Sequence, residues 1–455
     1  MKLIYGVKDK PTFGKVIVFA FQQLLAILAA TIAVPAIVGN GMSQSAALFG
    51  AGIGTLVYLL FTKFRSPVFL GSSFAFIGSM LAAFAGATSA QAGYVGLIIG
   101  AAFAGLVYVI IAIAVKFAGV GWVNKLMPAV VIGPTVAIIG LSLAGNAISD
   151  ITKGKVLDAA GASVANPLVC LVCGLVTLLT VTLCSVYGKK MVKLIPFIIG
   201  ILAGYAAAAI FTVIGNATGN DALKVIDFEV FKNMTIFAVP DFTFFEAAKG
   251  IKEISGHYIA TVAVAYVPVA FVVFAEHIAD HKNLSSVIEH DLLQEPGLHR
   301  TLLGDGVGSM AGAVFGGCPN TTYGESVGCV AITGNASVVT ILATAVMSII
   351  ISFFGPFVTF LASIPNCVMG GVCVTLYGFI AVSGLKMIQE VDLGDNRNLF
   401  VVAVILICGI GGLTVSFGKI TITSIACALI LGIITNVILS GKKEKEIEML
   451  DEKDV

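Results

Sequence analysis

No Asp, Glu, Lys or Arg occurs between Val16 and Thr62, between Ser66 and Val115, or between Ser326 and Leu385. About 20 predominantly apolar residues cross the hydrocarbon core of a bilayer as a helix, so charge-free runs of this length mark membrane-embedded chain. Composition agrees, with 58% of the 455 residues apolar and only 11% charged, and a mean hydropathy of +1.03. These values lie far outside the range of soluble domains. The fold class is an all-α polytopic membrane protein. A net charge of +1, without long blocks of one sign, gives no reason to expect a nucleic-acid partner.

The runs Val16–Thr62 and Ser66–Val115 hold two crossings each, and Leu126–Ser149, Ala159–Gly188 and Leu194–Asn220 one each. A second set starts at Tyr258, with its first span ending near Asp280. It continues through Leu298–Phe315, a segment through Glu325, two spans within Asn335–Leu385, then Leu399–Gly418 and Ile420–Gly441. The total is about fourteen. The first crossing follows Lys2, Lys8, Lys10 and Lys15 without a cleavage pattern and reads as a true span. On this count Lys63, Arg65, Lys116, Lys125, Lys189, Lys190, Lys193, Lys282, Arg300, Lys386, Arg397 and the tail GKKEKE share one side. Short cytoplasmic loops are enriched in Lys and Arg, which puts both termini in the cytoplasm. The longest external connection, from about Asn216 to His257, carries FAVPDFTFFEAAKG and reads as a lid or interfacial helix.

The two halves repeat. Pro128, Gly133, Gly140 and Gly145 have near-equivalents in Pro365, Gly370, Gly378 and Gly384, and GSSFAFIGSM from Gly71 corresponds to GCPNTTYGESVG from Gly317. Seven spans plus seven place the second half in inverted topology, the arrangement that sets a substrate site at mid-membrane between broken helices. The third and tenth segments are the broken ones, with short extended strands around Ser72, Ser73, Asn320, Thr321 and Thr322. Irregular backbone at membrane depth has to be buried in protein or line a wet cavity. Its free amides and carbonyls suit a flat heterocycle with C=O and N–H groups. The small residues Gly133, Gly140, Gly370 and Gly378 are expected to let helices pack closely.

Two carboxylates stand at this depth. Glu276 follows the uncharged run YIATVAVAYVPVAFVVFA, and Glu325 lies in the second broken segment. Acids inside a membrane are costly and usually functional, and one that takes up and releases a proton couples substrate binding to a proton gradient. Glu276 also has a structural reading, capping or pairing with His277 or His281, and Glu325 could sit in a wet vestibule. The nine cysteines, Cys170-x-x-Cys173 included, read as packed thiols, because no second ligand pair accompanies them. No metal or cofactor is expected. The triplets at Asn216, Asn233 and Asn335 match the glycosylation pattern too weakly to carry weight.

With QQLLAILAATIAVPAIVG, FLGSSFAFIGSM, AEHIADH, DLLQEPGLHRTLLGDG, CPNTTYGESVGCVAIT and PNCVMGGVCVTLYGFIAVSG in view, the chain resembles the nucleobase/ascorbate transporter family, and within it the bacterial uracil permeases. The resemblance covers nearly the whole chain. It implies a secondary active transporter, not an enzyme, that imports uracil across the cell membrane by proton symport with alternating access, usually as a homodimer. It divides the chain into a core (residues 1–118 and 258–364) and a gate (119–257 and 365–441), followed by a cytoplasmic tail, 442–455. Matching motifs make Glu276 and Glu325 the carboxylates that hold the ring nitrogens. On the same resemblance Phe74 and Gly324 would offer backbone amides to the carbonyls, and Ala30 and Tyr323 would line the pocket. Glu276, Asp280 and Glu325 are the proton-coupling candidates.

Two positions depart from the family pattern. Asp280 stands where a histidine is often found, one helical turn beyond Glu276 and on the same side, which leaves the partner of Glu276 open. Ser326 stands where Asn is common, and its shorter side chain is expected to loosen the second binding segment or shift substrate preference. Glu at 325, in place of the Gln typical of purine carriers, favours uracil. A xanthine, guanine or urate permease and a sodium-coupled carrier are the alternatives. A channel or membrane enzyme fits poorly, since the sequence has no metal cluster, nucleophile elbow or phosphate loop.

Overall fold

The computed structural model describes residues 3–119, 128–158, 161–232, 234–417 and 420–451. Lys2, Lys125, Leu126, Ala159, Asn233 and Gly418, named above, lie outside them. Helices dominate: α1 (Phe13–Val38), α2 (Gln44–Phe61), α3 (Ile77–Ala85), α4 (Ala90–Ala118), α5 (Ala129–Ser142), α6 (Ala144–Asp150), α7 (Pro167–Tyr187) and α8 (Pro196–Thr218). After a long connection come α9 (Thr243–Gly250), α10 (Gly256–Ile288), α11 (Leu298–Gly316), α12 (Gly324–Thr333), α13 (Val338–Ile351), α14 (Gly355–Ser363), α15 (Asn366–Ile388), α16 (Asn396–Ile410) and α17 (Ser424–Asp451). Among the described residues eight helices, with α5 and α6 taken together, are long and apolar enough to cross a membrane.

Local chemistry sets many of the ends. Ser43, Ser89 and Ser255 cap α2, α4 and α10 by accepting from the N–H three residues on, and Asn166 caps α7 ahead of Pro167 at its first position. The expected end of the eighth span near Asp280 is two turns short. Leu284 and Ile288 are buried, so packing carries α10 onward until Glu289 adopts a left-handed conformation. The span expected over Leu399–Gly418 ends early, and the one expected over Ile420–Gly441 starts at Ser424 and continues past Gly441 to Asp451. Helix α16 stops before Gly411 and Gly412, and the β-branched stretches beyond form a two-stranded hairpin, β3 (Val415–Phe417) with β4 (Ile420–Ile422).

Helix α11 packs on α2 and α4, and α10 on α4, while α15 packs on α5 and α7, and α16 on α5 and α17. Small residues allow both sets to approach closely. A Cβ on Gly50 of α2 would stand 2.5 Å from the Gly312 carbonyl of α11, and one on Gly140 of α5 would stand 2.3 Å from the Tyr377 carbonyl of α15. Gly133 and Gly384 face each other in the same α5–α15 contact, and a Cβ on Gly370 would stand 2.6 Å from the Ile151 backbone nitrogen. Gly378 corrects the expectation, because nothing lies within 4 Å of the Cβ it lacks. The expected outcome is that Gly384→Ala lowers the melting temperature of detergent-solubilised protein by several degrees, whereas Gly378→Ala leaves it unchanged.

The connection after α8 is more than a loop. Its helix α9 packs on α4, and Phe242 and Phe244 join Phe49, Phe315 and Phe353 in an aromatic cluster with centroid spacings of 4.8 to 6.3 Å. Asn335 is buried, which its role as a glycan acceptor would not allow. All nine cysteines are free thiols, and Cys170 and Cys173 are fully buried in α7.

Candidate functional site

Leu70–Ser72 (β1) and Asn320–Thr322 (β2) are antiparallel partners, with Leu70 opposite Thr322 and Ser72 opposite Asn320. The two interruptions read from the sequence therefore spend part of their backbone hydrogen bonding on each other. The Ser73 N–H extends the pairing to the Pro319 carbonyl at 2.9 Å. Side chains hold the ribbon in place. Thr55 of α2 accepts from the Leu70 N–H at 2.9 Å, Asn320 donates to the Gly50 carbonyl at 2.9 Å, and the Tyr323 hydroxyl donates to the Ser72 carbonyl at 2.7 Å. Only glycine fits at position 71, since a Cβ there would lie 2.3 Å from the Tyr323 ring. Gly317, at φ 73°, turns the chain out of α11 toward β2.

Past the ribbon each strand turns into a short helix, β1 into α3 and β2 into α12. The first N–H groups of such a helix have no acceptor within it. In α12 those belong to Gly324 and Glu325, and both residues face a cavity. The cavity has an inner part of about 80 Å³, lined by Ser73, Phe74, Thr321, Tyr323, Glu276 and Glu325. A wider part of about 390 Å³ adds Ala279, Asp280 and, from the other wall, Phe197, Phe379, Ser383 and Met387. Glu276, deep in α10, directs its side chain to this open space.

The structure thus brings Phe74, Glu276, Asp280, Tyr323, Gly324 and Glu325 together around one space. Ala30 is not in the lining; it is buried in α1, in the same apolar cluster as Tyr323. Asp280 accepts from the Thr322 hydroxyl at 2.7 Å, which ties α10 to β2. Three carboxylates share the cavity, and none of its described lining residues is basic.

Neither histidine beside Glu276 is available to it. His277 Nδ1 pairs with Asp305 Oδ2 at 2.7 Å, and its Nε2 meets the Thr301 hydroxyl at 2.9 Å. His281 Nδ1 lies 2.8 Å from the His277 carbonyl, which can only accept, so Nδ1 carries the proton. His281 Nε2 then accepts from the Tyr58 hydroxyl at 2.7 Å, and Ser66 donates to Tyr58 at 2.6 Å. The chain Ser66–Tyr58–His281 and the pair His277–Asp305 are buried and do not line the cavity. Ser326 is not loose either: it is fully buried and hydrogen bonded to two other segments.

Sequence reasoning missed the opposite wall. Val136 and Ile139 of α5, and Leu376, Phe379, Ile380, Ser383 and Met387 of α15, line the cavity at helical spacing. The periodicity was there to find, but a stripe of this kind is indistinguishable from one that packs on a neighbouring helix. Asp305 offered a clearer signal as the one charged residue between Arg300 and Glu325.

A family model described as a permease family matches residues 14–417. The chain belongs to this permease family. It is 38% identical to the uracil permease of Bacillus caldolyticus, over 99% of this chain and 98% of that one. It is 37% identical to the uracil permease of Bacillus subtilis, covering 100% and 99%, and 33% identical to that of Escherichia coli K12, covering 94% and 92%. The resemblance to nucleobase/ascorbate transporters thus holds over nearly the full length. Among solved structures, the transmembrane domain of a cyanobacterium bicarbonate transporter, BicA, matches with a TM-score of 0.62 at 16% identity, covering 95% of this chain and 99% of that one. The murine Solute Carrier 26 family member A9 anion transporter in its inward-facing state matches at 0.66 and 13%, covering 96% and 69%. At such identities the likeness is one of fold. This permease is a multi-pass membrane protein.

Proposed function

We propose that this permease imports uracil across the cell membrane by proton symport with alternating access. The observation that carries the reading is the meeting of Glu276 and Glu325 at one cavity whose floor is the paired ribbon and the N-terminus of α12. A uracil ring presents two N–H donors and two carbonyl acceptors. The two carboxylates match the donors, and the free amides near Phe74 and Gly324 match the acceptors. The inner space alone, about 80 Å³, holds part of such a ring, and the wider part leaves room for the rest. The names of the full-length relatives support the same substrate.

The charge balance supports proton coupling. Three acids without a basic partner favour the arrival of a positive charge, and a proton can be carried on any of them. Glu276, Asp280 and Glu325 are the carriers on this reading. The half-helix α12 directs its positive end at the same space and reduces the cost of the charge that remains.

We read the membrane fold as fourteen spans. They comprise the eight long apolar helices, α11, the two broken segments β1–α3 and β2–α12, and the shorter α13, α16 and α17. Seven and seven in inverted repeat then give a core, 1–118 with 258–364, that moves against a gate, 119–257 with 365–441. The two cavity walls, α10 and α12 on one side and α5 and α15 on the other, come from these two parts. Both termini are cytoplasmic, the bilayer is that of the cell membrane, and the working unit is a homodimer.

The test is uptake of labelled uracil into proteoliposomes under an imposed pH or sodium gradient, with xanthine, guanine and urate as competitors. Uptake driven by an inward proton gradient and blocked by unlabelled uracil alone is the expected result. Drive by sodium, or preference for a purine, would replace the reading. A structural prediction accompanies it. Gly71→Ala displaces the Tyr323 ring from Ser72 and is expected to lower uracil uptake at least ~10-fold at equal membrane abundance. Wild-type uptake by Gly71→Ala would mean that the ribbon does not shape the site.

A further inference from the structure

Ser326 directly follows Glu325, and three distant stretches of chain meet at its hydroxyl. The Gln23 amide of α1 donates to Ser326 Oγ at 2.5 Å and to the Ser326 carbonyl at 3.4 Å, across a separation of 303 residues. The Phe69 N–H, one residue before β1, donates to the same Oγ at 3.1 Å. Gln23 is 3% exposed, and Phe69 and Ser326 are fully buried. A hydroxyl oxygen offers two lone pairs, so these donors use its whole accepting capacity. None of the three residues lines the cavity.

Helix α12 starts at Gly324, which puts Ser326 in its first turn. Whatever holds Ser326 fixes the rotation of that turn and the direction of the adjacent Glu325 carboxylate. Through Phe69 the same hydroxyl is tied to β1, which leads into the Phe74 side of the cavity. We propose that Gln23 and Ser326 are positioning residues, a size-matched clasp that aims Glu325 and registers the two broken segments, and so sets uracil affinity. The proposal rests on the reading of Glu325 as a uracil ligand. The long amide at 23 and the short hydroxyl at 326 divide one buried space. Asn at 326 enters the volume of the Gln23 amide, and Ala at 23 leaves the hydroxyl short of a donor.

The test is labelled-uracil binding and uptake by the full-length protein for Gln23→Ala, Gln23→Asn, Ser326→Asn and the double variant Gln23→Ala/Ser326→Asn, with a melting temperature for each. Each of Gln23→Ala and Ser326→Asn should weaken uracil binding about 10-fold, raising KM more than it lowers kcat. The double variant should recover to within ~3-fold of wild type, because Asn then fills the vacated space. Gln23→Asn, which keeps the amide, provides the reading should Gln23→Ala fail to insert. Its affinity should fall less than that of Ser326→Asn. A double variant at the product of the single losses overturns the clasp, as do single variants within ~2-fold of wild type. Glu325→Gln in the same assay separates the two layers. If it loses affinity while the Gln23 and Ser326 variants keep theirs, the clasp alone falls. If it keeps wild-type affinity, Glu325 is not the group being aimed, and the proposal falls with the reading beneath it.

Discussion

Glu325→Gln is expected to weaken uracil binding about 100-fold, the scale of a buried polar pair left mismatched. The side chain projects from the first turn of α12 into the cavity, and Gln has nearly its shape. Only the chemistry changes. A carboxylate accepts at both oxygens, whereas an amide presents a donor toward a ring N–H that is itself a donor. The same swap admits a purine that offers an acceptor at that point, so competition by xanthine or guanine should strengthen as uracil binding fades. Calorimetry on the purified variant measures the first effect, and displacement of labelled base the second. Uracil affinity within ~3-fold of wild type would remove Glu325 from the site.

The second large effect separates binding from coupling. Glu276→Gln should abolish accumulation of uracil against its gradient while leaving counterflow exchange measurable. Glu276 has no histidine partner to compensate for the change, because His277 is taken by Asp305 and Thr301, and His281 by Tyr58. A neutral amide at 276 cannot take up or give back a proton, so the imposed gradient loses its handle on the cycle. The measurement is the steady-state ratio of internal to external uracil in proteoliposomes at an inward proton gradient, set against exchange at equal pH. A wild-type accumulation ratio would shift the coupling role to Asp280, which is held at 2.7 Å by the Thr322 hydroxyl and lies one turn away.

Both experiments concern residues that stand out in the chain itself. An acid after an apolar run such as YIATVAVAYVPVAFVVFA is visible because the cost of charge in hydrocarbon belongs to that segment alone. The breaks at GSSF and CPNTTYG are visible for a similar reason, since glycine, proline and short polar residues interrupt a helix wherever they occur. Span lengths were legible only to within a few residues. The end of α10 depends on Leu284 and Ile288 finding neighbours, and the hairpin after α16 depends on β3 meeting β4.

What lies between distant residues left no such trace. Gly71 reads as a flexible residue until the Tyr323 ring is seen against it, and Gly378 reads like Gly140 although only at Gly140 would a Cβ meet another helix. Ser326 reads as a loosening of the second segment, and the fold makes it a tight junction with Gln23 and Phe69. The sequence alone determined the membrane class, the approximate spans, the two broken segments and the acids within them, because each is a local property of helix propensity or of charge in an apolar medium. The tertiary structure decided the pairing of β1 with β2, the partners of His277, His281 and Ser326, and the wall that α5 and α15 present to the cavity. Those depend on which surfaces meet after some three hundred residues of intervening chain have packed, and no periodicity within a single helix encodes that meeting.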